Sequence, residues 1–374
     1  MKPFAAAAFM GQVLAVTLLA SGASAQASAQ YRVGVVSESG DMVSWFTPIP
    51  GGGLMLERTV ATDPRPPERD GPHNITVAPD HRSYYVSVAH GTPHGSLWRF
   101  DALTHRLLGM AEARGYPTTI GLTPDGEMAF VANSDFFGDR PAINPVTVVH
   151  TPTMTTITHI AACDMPHGVK VDPAGQVAWV SCMHSDELLA VDVATLRIRE
   201  RIRLGTGSPV AAHAGHGPPL GGASTAPAGK SCSATFVSIA ADGSRLFVAC
   251  NAAGSVQVWR TADRTLEHEI PVGAGAYNVE PSPDGRWLVV TNKKAQSISV
   301  IDTREWREHK RLATSRPVVH GVAWSPDSRY AYVSQESIGA EPGAIDIFDM
   351  TTLERSGTIA VPGQPTGITV LRIP

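Results

Sequence analysis

The chain has 374 residues, a formal net charge of −4 and 17% charged residues. It contains no basic block, which argues against a nucleic-acid-binding protein. Its 35 glycines and 29 prolines are typical of a chain with many turns, and its length suits one large all-β domain.

The first segment predicts export. Residues 1–30 read MKPFAAAAFMGQVLAVTLLASGASAQASAQ, with one cation, Lys2, before an apolar run and two small-residue cleavage patterns. This is the pattern of a secretory signal peptide, cleaved after residue 25 or as late as residue 29. The apolar run from Ala5 to Ala20 is short for a membrane span. We therefore expect a periplasmic or secreted protein with no membrane span after cleavage.

Six segments repeat one design along the rest of the chain. Each has an alternating apolar strand, a turn at or near Pro-Asp-Gly, and a second strand rich in Val, Tyr, Phe or Trp, which is the pattern of a β-hairpin. Third and fourth strands follow, as in GSLWRFDALT and HKRLAT. The hairpin segments are HNITVAPDHRSYYVSVAH from His73, TTIGLTPDGEMAFVANS from Thr118, HGVKVDPAGQVAWVSCMH from His167, TFVSIAADGSRLFVACN from Thr235, YNVEPSPDGRWLVVTNK from Tyr277 and HGVAWSPDSRYAYVSQE from His320.

The period of the repeat predicts the fold. The turn recurs at intervals of 45, 49, 68, 42 and 43 residues, and a four-stranded unit of this length is the blade of a β-propeller. The C-terminal PTGITVLRIP matches a first strand alone, whereas residues 31–60 match second, third and fourth strands. We therefore predict an all-β fold: a single seven-bladed β-propeller over residues 31–374, with four-stranded blades and a last blade closed by both termini.

The amino-acid sequence of the repeat resembles that of a known family. The stretch PDGRWLVVTNKKAQSISVIDT resembles the YVTN family of seven-bladed propellers, and the resemblance covers nearly all of the mature chain. It implies relatives among bacterial exported proteins, lactonase-like enzymes and cofactor-bearing oxidoreductase domains. WD40 repeats match less well, because their Gly-His and Trp-Asp signatures are missing. A fold does not select among these functions, so the site has to be judged from its own residues.

Six of the fourteen histidines are predicted to share one face of the ring. The start of a first strand and the end of a second strand meet at the same end of an antiparallel hairpin, and every blade repeats that orientation around the central channel. Three of the histidines share one first-strand position, two follow second strands and one lies in the next loop. They are His73, His167 and His320, then His90 and His184, and finally His94.

Converging imidazoles are typical of transition-metal sites. We predict that the six histidines surround a bound metal ion, with copper as first choice and zinc or iron as alternatives. A d1-type haem with a histidine axial ligand is a further variant, and polar rim histidines that bond to loop carbonyls are the structural alternative. No Cys-x-x-Cys-His occurs, which argues against covalent c-type haem. Glu336 and Asp186 follow second strands and are further ligand candidates.

Two insertions are predicted to rise from the same face. Residues 205–230, rich in Gly, Ala, Pro and Ser, account for the interval of 68 and form an inserted loop. His213 and His216 in this loop are additional metal candidates, and an exposed loop without a ligand is the alternative. A smaller insertion from Asn133 carries Phe136 and Phe137, which would wall an apolar pocket or pack the loop itself.

The four cysteines flank two neighbouring hairpins. Cys163 and Cys182 are 19 residues apart, and Cys232 and Cys250 are 18 apart. Their matched placement in an exported chain predicts the disulfides Cys163–Cys182 and Cys232–Cys250. A bridge from Cys182 to Cys232 and a thiolate metal site are the alternatives.

Three functions remain open from the sequence. The first is a periplasmic metal-dependent oxidoreductase, similar in architecture to His-capped propellers such as the methanethiol oxidase and selenium-binding group. The second is a non-catalytic propeller that binds a small ligand or a protein. The third is a lactonase-like hydrolase with a rim His or Glu as base, although the chain has no Gly-x-Ser-x-Gly elbow. No residue is assigned a catalytic role, and we expect a monomer.

Overall fold

The protein forms a ring of seven four-stranded antiparallel sheets. The computed structural model describes residues 30–62, 71–90, 94–135, 143–205, 231–337 and 341–373. Apart from one short 3-10 turn at Glu38–Gly40, the regular structure of these residues is all strand. The predicted fold class, a seven-bladed β-propeller, is confirmed.

The first three strands and the last strand form one sheet, and the 24 strands between them form six sheets of four consecutive strands each. The first fifteen are β1 (Tyr31–Ser37), β2 (Met42–Ile49), β3 (Gly53–Ala61), β4 (Pro72–Val77), β5 (Ser83–Val88), β6 (Ser96–Asp101), β7 (Leu107–Glu112), β8 (Pro117–Leu122), β9 (Met128–Asn133), β10 (Asn144–His150), β11 (Thr155–Cys163), β12 (Pro166–Val171), β13 (Val177–Cys182), β14 (Glu187–Asp192) and β15 (Arg197–Arg203). The others are β16 (Ala234–Ile239), β17 (Arg245–Cys250), β18 (Ser255–Arg260), β19 (Leu266–Pro271), β20 (Ala276–Pro281), β21 (Trp287–Asn292), β22 (Ser297–Asp302), β23 (Arg307–Ala313), β24 (Val318–Trp324), β25 (Tyr330–Glu336), β26 (Gly343–Asp349), β27 (Glu354–Val361) and β28 (Pro365–Arg372).

Both termini build the closing blade, as predicted. Strands β4 to β27 form blades 1 to 6 in chain order, and blade 7 has the order β28-β1-β2-β3. Its innermost strand is thus the C-terminal one, which pairs antiparallel with β1 from Tyr31 opposite Arg372 onward. The closure leaves no strand edge open at the channel.

Local sequence explains the hairpins, and packing between blades explains the core. In blade 5 the Pro-Asp-Gly turn places Gly285 at φ +69°, where a side chain is disfavoured, and the Ser282 hydroxyl donates a 2.6 Å hydrogen bond to Asp284. Alternate strand residues then face the neighbouring blade. For example, Val169 and Val180 of blade 3 pack in one buried cluster with Ile160 of blade 2.

A ring of side-chain hydrogen bonds joins every neighbouring pair of blades near the channel. In each pair a Ser or Thr hydroxyl donates to a main-chain carbonyl on the inner strand of the next blade. From blade 1 around to blade 7, the bonds are Ser87 to Thr118, Thr118 to His167, Ser181 to Thr235, Thr235 to Tyr277, Thr291 to His320, Ser334 to Thr366 and Thr366 to His73. The inner strands are therefore held in register with one another at the level of the predicted site.

The glycines after two of the histidines allow this close approach. A Cβ on Gly168 would lie 2.8 Å from the Cα of Phe236 on the next inner strand, and one on Gly321 would lie 3.0 Å from the carbonyl oxygen of Thr366. A larger residue would push the inner strands apart. The repeated His-Gly pair thus combines a polar side chain at the channel with tight packing between blades.

Both predicted disulfides are present. Cys163 bonds to Cys182 and Cys232 bonds to Cys250, and no cysteine is free. The first bridge joins β11 of blade 2 to β13 of blade 3, and the second joins the start of blade 4 to the end of β17. The alternative Cys182–Cys232 bridge and a thiolate metal site are therefore wrong.

We expect non-reducing peptide mapping of the unreduced protein to recover these two pairs. Reduction should lower the free energy of unfolding by about 2–4 kcal/mol per bridge, because each one constrains the unfolded chain. Urea melts with and without reductant measure this difference. Recovery of four free thiols from protein purified without reductant would contradict the pairing.

The disulfides are consistent with the predicted export. Within the described ranges, no helix has the length and apolar character needed to cross a membrane. The predicted signal peptide lies outside the described residues, as do residues 206–230 of the inserted loop, including His213 and His216, and both Phe136 and Phe137.

Candidate functional site

Three of the predicted histidines meet at the mouth of the channel. His73, His167 and His320 lie near the starts of inner strands β4, β12 and β24, and they are only 6%, 1% and 1% exposed. The rings of His73 and His320, whose blades are separated by blade 7, have centroids 5.4 Å apart. Tyr277 on β20 continues the cluster, since its ring centroid is 4.8 Å from that of His320 and 5.4 Å from that of His167.

A buried carboxylate holds one side of the cluster. Glu38 begins the 3-10 turn that follows β1 of blade 7. It accepts hydrogen bonds from His73 Nδ1 at 2.8 Å, His90 Nε2 at 3.1 Å and the Tyr116 hydroxyl at 2.7 Å. Burial opposes ionisation of Glu38, but its electrostatic interaction with His73 and the hydrogen bonds that it accepts from His73, His90 and Tyr116 hold its pKa well below its usual range. The pKa of Tyr116 is raised by burial and by the Glu38 charge, so this phenol keeps its proton.

A shared phenol holds the other side. The Tyr277 hydroxyl lies 3.1 Å from His167 Nε2 and 3.2 Å from His320 Nε2, and His167 Nδ1 lies 2.8 Å from the carbonyl oxygen of Thr235. Burial lowers the pKa of His167 to about 3, helped by the nearby His73, and burial also places the pKa of His320 well below its usual value. Both imidazoles are therefore neutral at ordinary pH.

The hydrogen-bond partners determine which ring nitrogens carry protons. His167 Nδ1 donates to a carbonyl, so its Nε2 accepts from the Tyr277 hydroxyl. The Tyr277 oxygen then accepts from His320 Nε2, which leaves Nδ1 of His320 as a bare lone pair. When the His73 ring is neutral and donates from Nδ1 to Glu38, its Nε2 is a lone pair as well.

Two ring nitrogens of the cluster lack a partner within the described part of the chain. His73 Nε2 and His320 Nδ1 are buried and make no hydrogen bond among the described residues. Two acceptors cannot satisfy each other, and a buried acceptor without a partner costs about 1–3 kcal/mol. A cation or a proton donor would supply what both nitrogens lack. The chemistry of the donors fits a transition metal that prefers imidazole.

The described side chains do not form a metal centre with three protein ligands. Among the described residues, no three His, Cys, Asp or Glu side chains are grouped closely enough to hold one ion. His167 Nε2 is engaged by Tyr277, so two imidazole nitrogens, from His73 and His320, are the immediate donors.

A charged cluster borders the mouth beside His320. Glu336 accepts from Lys293 Nζ at 3.1 Å and from Gln364 Nε2 at 2.7 Å, and its Oε1 lies 3.7 Å from His320 Nε2. The Lys293 ammonium also lies 3.8 Å from the centroid of the Tyr277 ring. Glu336 thus lies near His320 without a hydrogen bond to it, whereas Glu38 bonds directly to His73.

The other predicted residues have different partners. His94 Nε2 lies 3.0 Å from Arg114 Nη1, and His184 is 41% exposed with Nδ1 3.5 Å from Asp164. Asp186 accepts hydrogen bonds from Ser231 and from the main chain of Ser233. The structure therefore brings His73, His167 and His320 together and links His90 to them through Glu38, whereas it gives His94, His184 and Asp186 other contacts.

Sequence reasoning missed Glu38, Tyr116 and Lys293. A signal for Glu38 existed, because it follows the second strand of blade 7 where Glu336 ends the second strand of blade 6. The splitting of blade 7 between the two termini hid this equivalence. The repeat correctly predicts that Tyr277 lies near the start of a first strand, but it does not indicate the contacts of this side chain with the histidines.

The site predicts a stability that falls in acid. The folded-state pKa of His167 is about 3, below its ordinary 6.5, so the unfolded chain takes up a proton that the folded site refuses. The contribution of neutral His167 to the free energy of unfolding is fully present above about pH 6.5 and is lost progressively as the pH falls toward 3. We expect thermal melting of the chelator-treated protein to show this slope, and His167→Gln to flatten it. The outer-strand variant His268→Gln should keep the slope, and parallel curves for all three proteins would contradict the assignment.

Comparison with known proteins supports the fold. No family model matches the chain. A 6-phosphogluconolactonase from Yersinia enterocolitica is 29% identical over 119 residues, which are 32% of this chain and 35% of that protein. The match thus spans about a third of the relative's length.

Two solved structures share the architecture. Hydrazine synthase from Kuenenia stuttgartiensis superposes with a TM-score of 0.62 at 19% identity, over 81% of this chain and 96% of that one. A functionally unknown protein from Desulfotomaculum acetoxidans gives a TM-score of 0.69 at 11% identity, over 92% and 99%. At these identities the similarity is one of fold alone.

Proposed function

We propose that this protein is an exported, YVTN-type propeller that acts as a metal-dependent oxidoreductase, with one transition-metal ion at the mouth of the channel. The observation that carries the proposal is the pair of buried imidazole nitrogens, His73 Nε2 and His320 Nδ1, that have no partner among the described residues. Their exposure, 6% and 1% for the two residues, suits a bound ion better than a freely solvated group.

The proposed ligands are His73, His320 and His167. His73 would bind through Nε2 and His320 through Nδ1, the two nitrogens without a hydrogen bond among the described residues. His167 would bind through Nε2 once this nitrogen has released the Tyr277 hydroxyl. Each ring already has the anchor that metal-binding histidines need, because a carboxylate or carbonyl oxygen, or Tyr277, holds its other nitrogen. Copper is the first choice for an all-imidazole site in an oxidising compartment, and iron is the second.

The protein's own groups prepare the site for a neutral-imidazole ligand set. Burial keeps His167 and His320 unprotonated, and the ionised Glu38 fixes His73 with Nε2 toward the cluster. The bound metal would supply one-electron chemistry. Tyr277, whose pKa is raised well above its usual value by burial and by Glu336, remains a proton donor beside it.

Metal analysis with electron paramagnetic resonance tests the proposal. Protein purified from a periplasmic fraction should contain about one copper or iron per chain, with a resonance signal that ascorbate or ferricyanide removes and restores. Protein that contains no metal and takes up no Cu²⁺, or a bound metal that neither reagent changes, would overturn it.

A lactonase-like hydrolase is the second candidate. The specific observation in its favour is the Glu38–His73 pair, an ionised carboxylate that supports an imidazole with a lone pair at Nε2 and thus resembles a general-base pair. The Yersinia relative is a lactonase by name. Lactone hydrolysis that survives chelation and is lost in His73→Ala would favour this candidate over the oxidoreductase. If metal and hydrolysis are both absent, the non-catalytic binding propeller becomes the better account.

A further inference from the structure

An open cleft lies between blades 1 and 2, on the face of the ring opposite the histidines. Its volume is about 360 Å³, within the range of small-molecule sites. The turns between the first and second strands of both blades line it, together with the turn between β10 and β11, and all three lie at strand ends remote from the channel mouth. Six strand residues span roughly 20 Å, so the cleft is separate from the proposed metal site.

Arg99 in this cleft occupies a position that is apolar in other blades. It lies opposite Tyr85 on the neighbouring strand, and Tyr85 lies five residues after the turn residue Asp80. In blades 2 to 6 the residue opposite the equivalent position is apolar and 0% exposed. These five residues are Val148, Ala190, Val258, Val300 and Ile347. The propeller fold therefore does not require a cation here.

The Arg99 guanidinium has no carboxylate partner among the residues that the structure describes. Nη1 donates to the Thr151 carbonyl oxygen at 3.1 Å, Nε donates to the Ser83 hydroxyl at 3.4 Å, and Cζ lies 5.9 Å from the centroid of the Tyr85 ring. Nη2 donates to none of the described residues. Tyr85 is 1% exposed, and its hydroxyl makes no hydrogen bond within the described ranges. Neutral groups thus hold a cation whose remaining donors suit a carboxylate.

The same cleft has an acidic wall, formed by Asp80, Asp125 and Glu127. The first two each use Oδ1 to accept from a main-chain N–H of their own turn, at 2.9 and 3.0 Å. The Glu127 side chain is 58% exposed. Three carboxylates and the one guanidinium of Arg99 give the cleft a formal net charge of −2. It therefore combines a single anion-binding group with an excess of groups that attract cations.

We propose that this cleft binds a basic amino acid, with Arg99 on its carboxylate and the acidic wall on its amino groups. The carboxylate would supply the counter-charge that Arg99 lacks in the described structure. A ligand with one carboxylate and two ammonium groups carries one net positive charge, which opposes the negative charge of the cleft. A sugar acid or an acidic amino acid would add to that negative charge. The inference is independent of the proposed metal chemistry.

Calorimetric titration of the purified protein with L-lysine and with cadaverine tests the proposal, because cadaverine has both amino groups of lysine without the carboxylate. The unaltered protein should bind L-lysine about tenfold or more tightly than cadaverine, since only L-lysine can bond to the guanidinium. Arg99→Val places in blade 1 the residue found in blades 2, 4 and 5, so it should remain folded and lose this preference. Arg106→Val, at an exposed position of blade 1 outside the cleft, is the matched control and should keep it.

Glu127→Gln tests the acidic wall and decides the test if the Arg99 variant fails to fold. It should weaken the binding of both ligands by about threefold to fivefold, as expected for an exposed ion pair, and it should keep the preference for L-lysine. A protein that binds neither ligand at millimolar concentration, equal affinity for the two ligands, or an Arg99→Val variant that keeps the preference would overturn the proposal. Unchanged affinities in Glu127→Gln would overturn it as well. Tighter binding of L-glutamate than of L-lysine would overturn it in favour of a site for anions.

Discussion

Alanine in place of His73 or His320 is expected to lower metal affinity by far more than tenfold, so that the purified variant carries almost none. Each change removes one of the two buried nitrogens that make no hydrogen bond to any residue the structure describes. The propeller should remain folded, because neither ring belongs to the apolar clusters between blades. Metal content by mass spectrometry after dialysis, measured beside thermal melting, gives both results.

Two outer histidines provide matched controls. His159 Nδ1 bonds to the Thr147 hydroxyl at 3.0 Å, and the His268 ring stacks on Trp306. Alanine at either position should leave metal content unchanged. His105, expected to be equally indifferent, is a poorer control because it is buried against Trp45 and Tyr84. Equal metal content in the inner and outer variants would contradict the site.

Glu38→Gln tests whether Glu38 supports metal binding by orienting the His73 ring. The amide can still contact His73, but it lacks the charge that holds the Nδ1 proton in place. Replacing a carboxylate that supports a ligating histidine typically lowers metal affinity about 10–100-fold. We therefore expect an intermediate loss for this variant, smaller than that of His73→Ala. A full metal complement at limiting metal concentration would show that Glu38 does not act through His73.

Removal of residues 365–374 is expected to abolish cooperative unfolding of the ring. The deletion takes away β28, the innermost strand of blade 7, and leaves β1 without its partner. It also removes Thr366, whose hydroxyl bonds to His73 O and whose carbonyl accepts from Ser334, so blade 7 loses the inner-strand hydrogen bonds that join it to blades 1 and 6. Most of the free energy of unfolding, typically 5–15 kcal/mol for a domain, should be lost.

Calorimetry of the truncated and full-length proteins measures this loss. A synthetic peptide of residues 365–374 should restore part of the transition, because the pairing with β1 is its main contact. Thr366→Val, which keeps the strand but removes one hydroxyl, should cost only about 1–2 kcal/mol. A truncated protein that melts like the full chain would show that the ring does not need this closure.

The fold was predictable because the repeat fixes strand order, turn position and blade count together. The matched cysteine pairs and the unmatched C-terminal strand also followed from repeat position, and the structure confirms both. These features depend on where a residue lies in the chain. They do not depend on which direction its side chain takes.

The site was only partly predictable for that reason. The shared position of His73, His167 and His320 on inner strands determines that they reach the channel mouth. Residues after second strands leave the ladder, so their direction depends on local partners, as with His184 beside Asp164. The proton positions depend on hydrogen bonds across blades, and the decisive one, from Tyr277 to His167, joins residues 110 positions apart.

X-ray absorption at the edge of the bound metal tests the proposed histidine ligands directly. We expect nitrogen neighbours at about 2.0–2.1 Å, with the outer-shell scattering of at least two imidazole rings and no sulfur. That imidazole signal should decrease in His167→Ala if this ring completes the set. A metal with sulfur neighbours at about 2.3 Å, one with oxygen neighbours only, or a protein that binds no metal would contradict it.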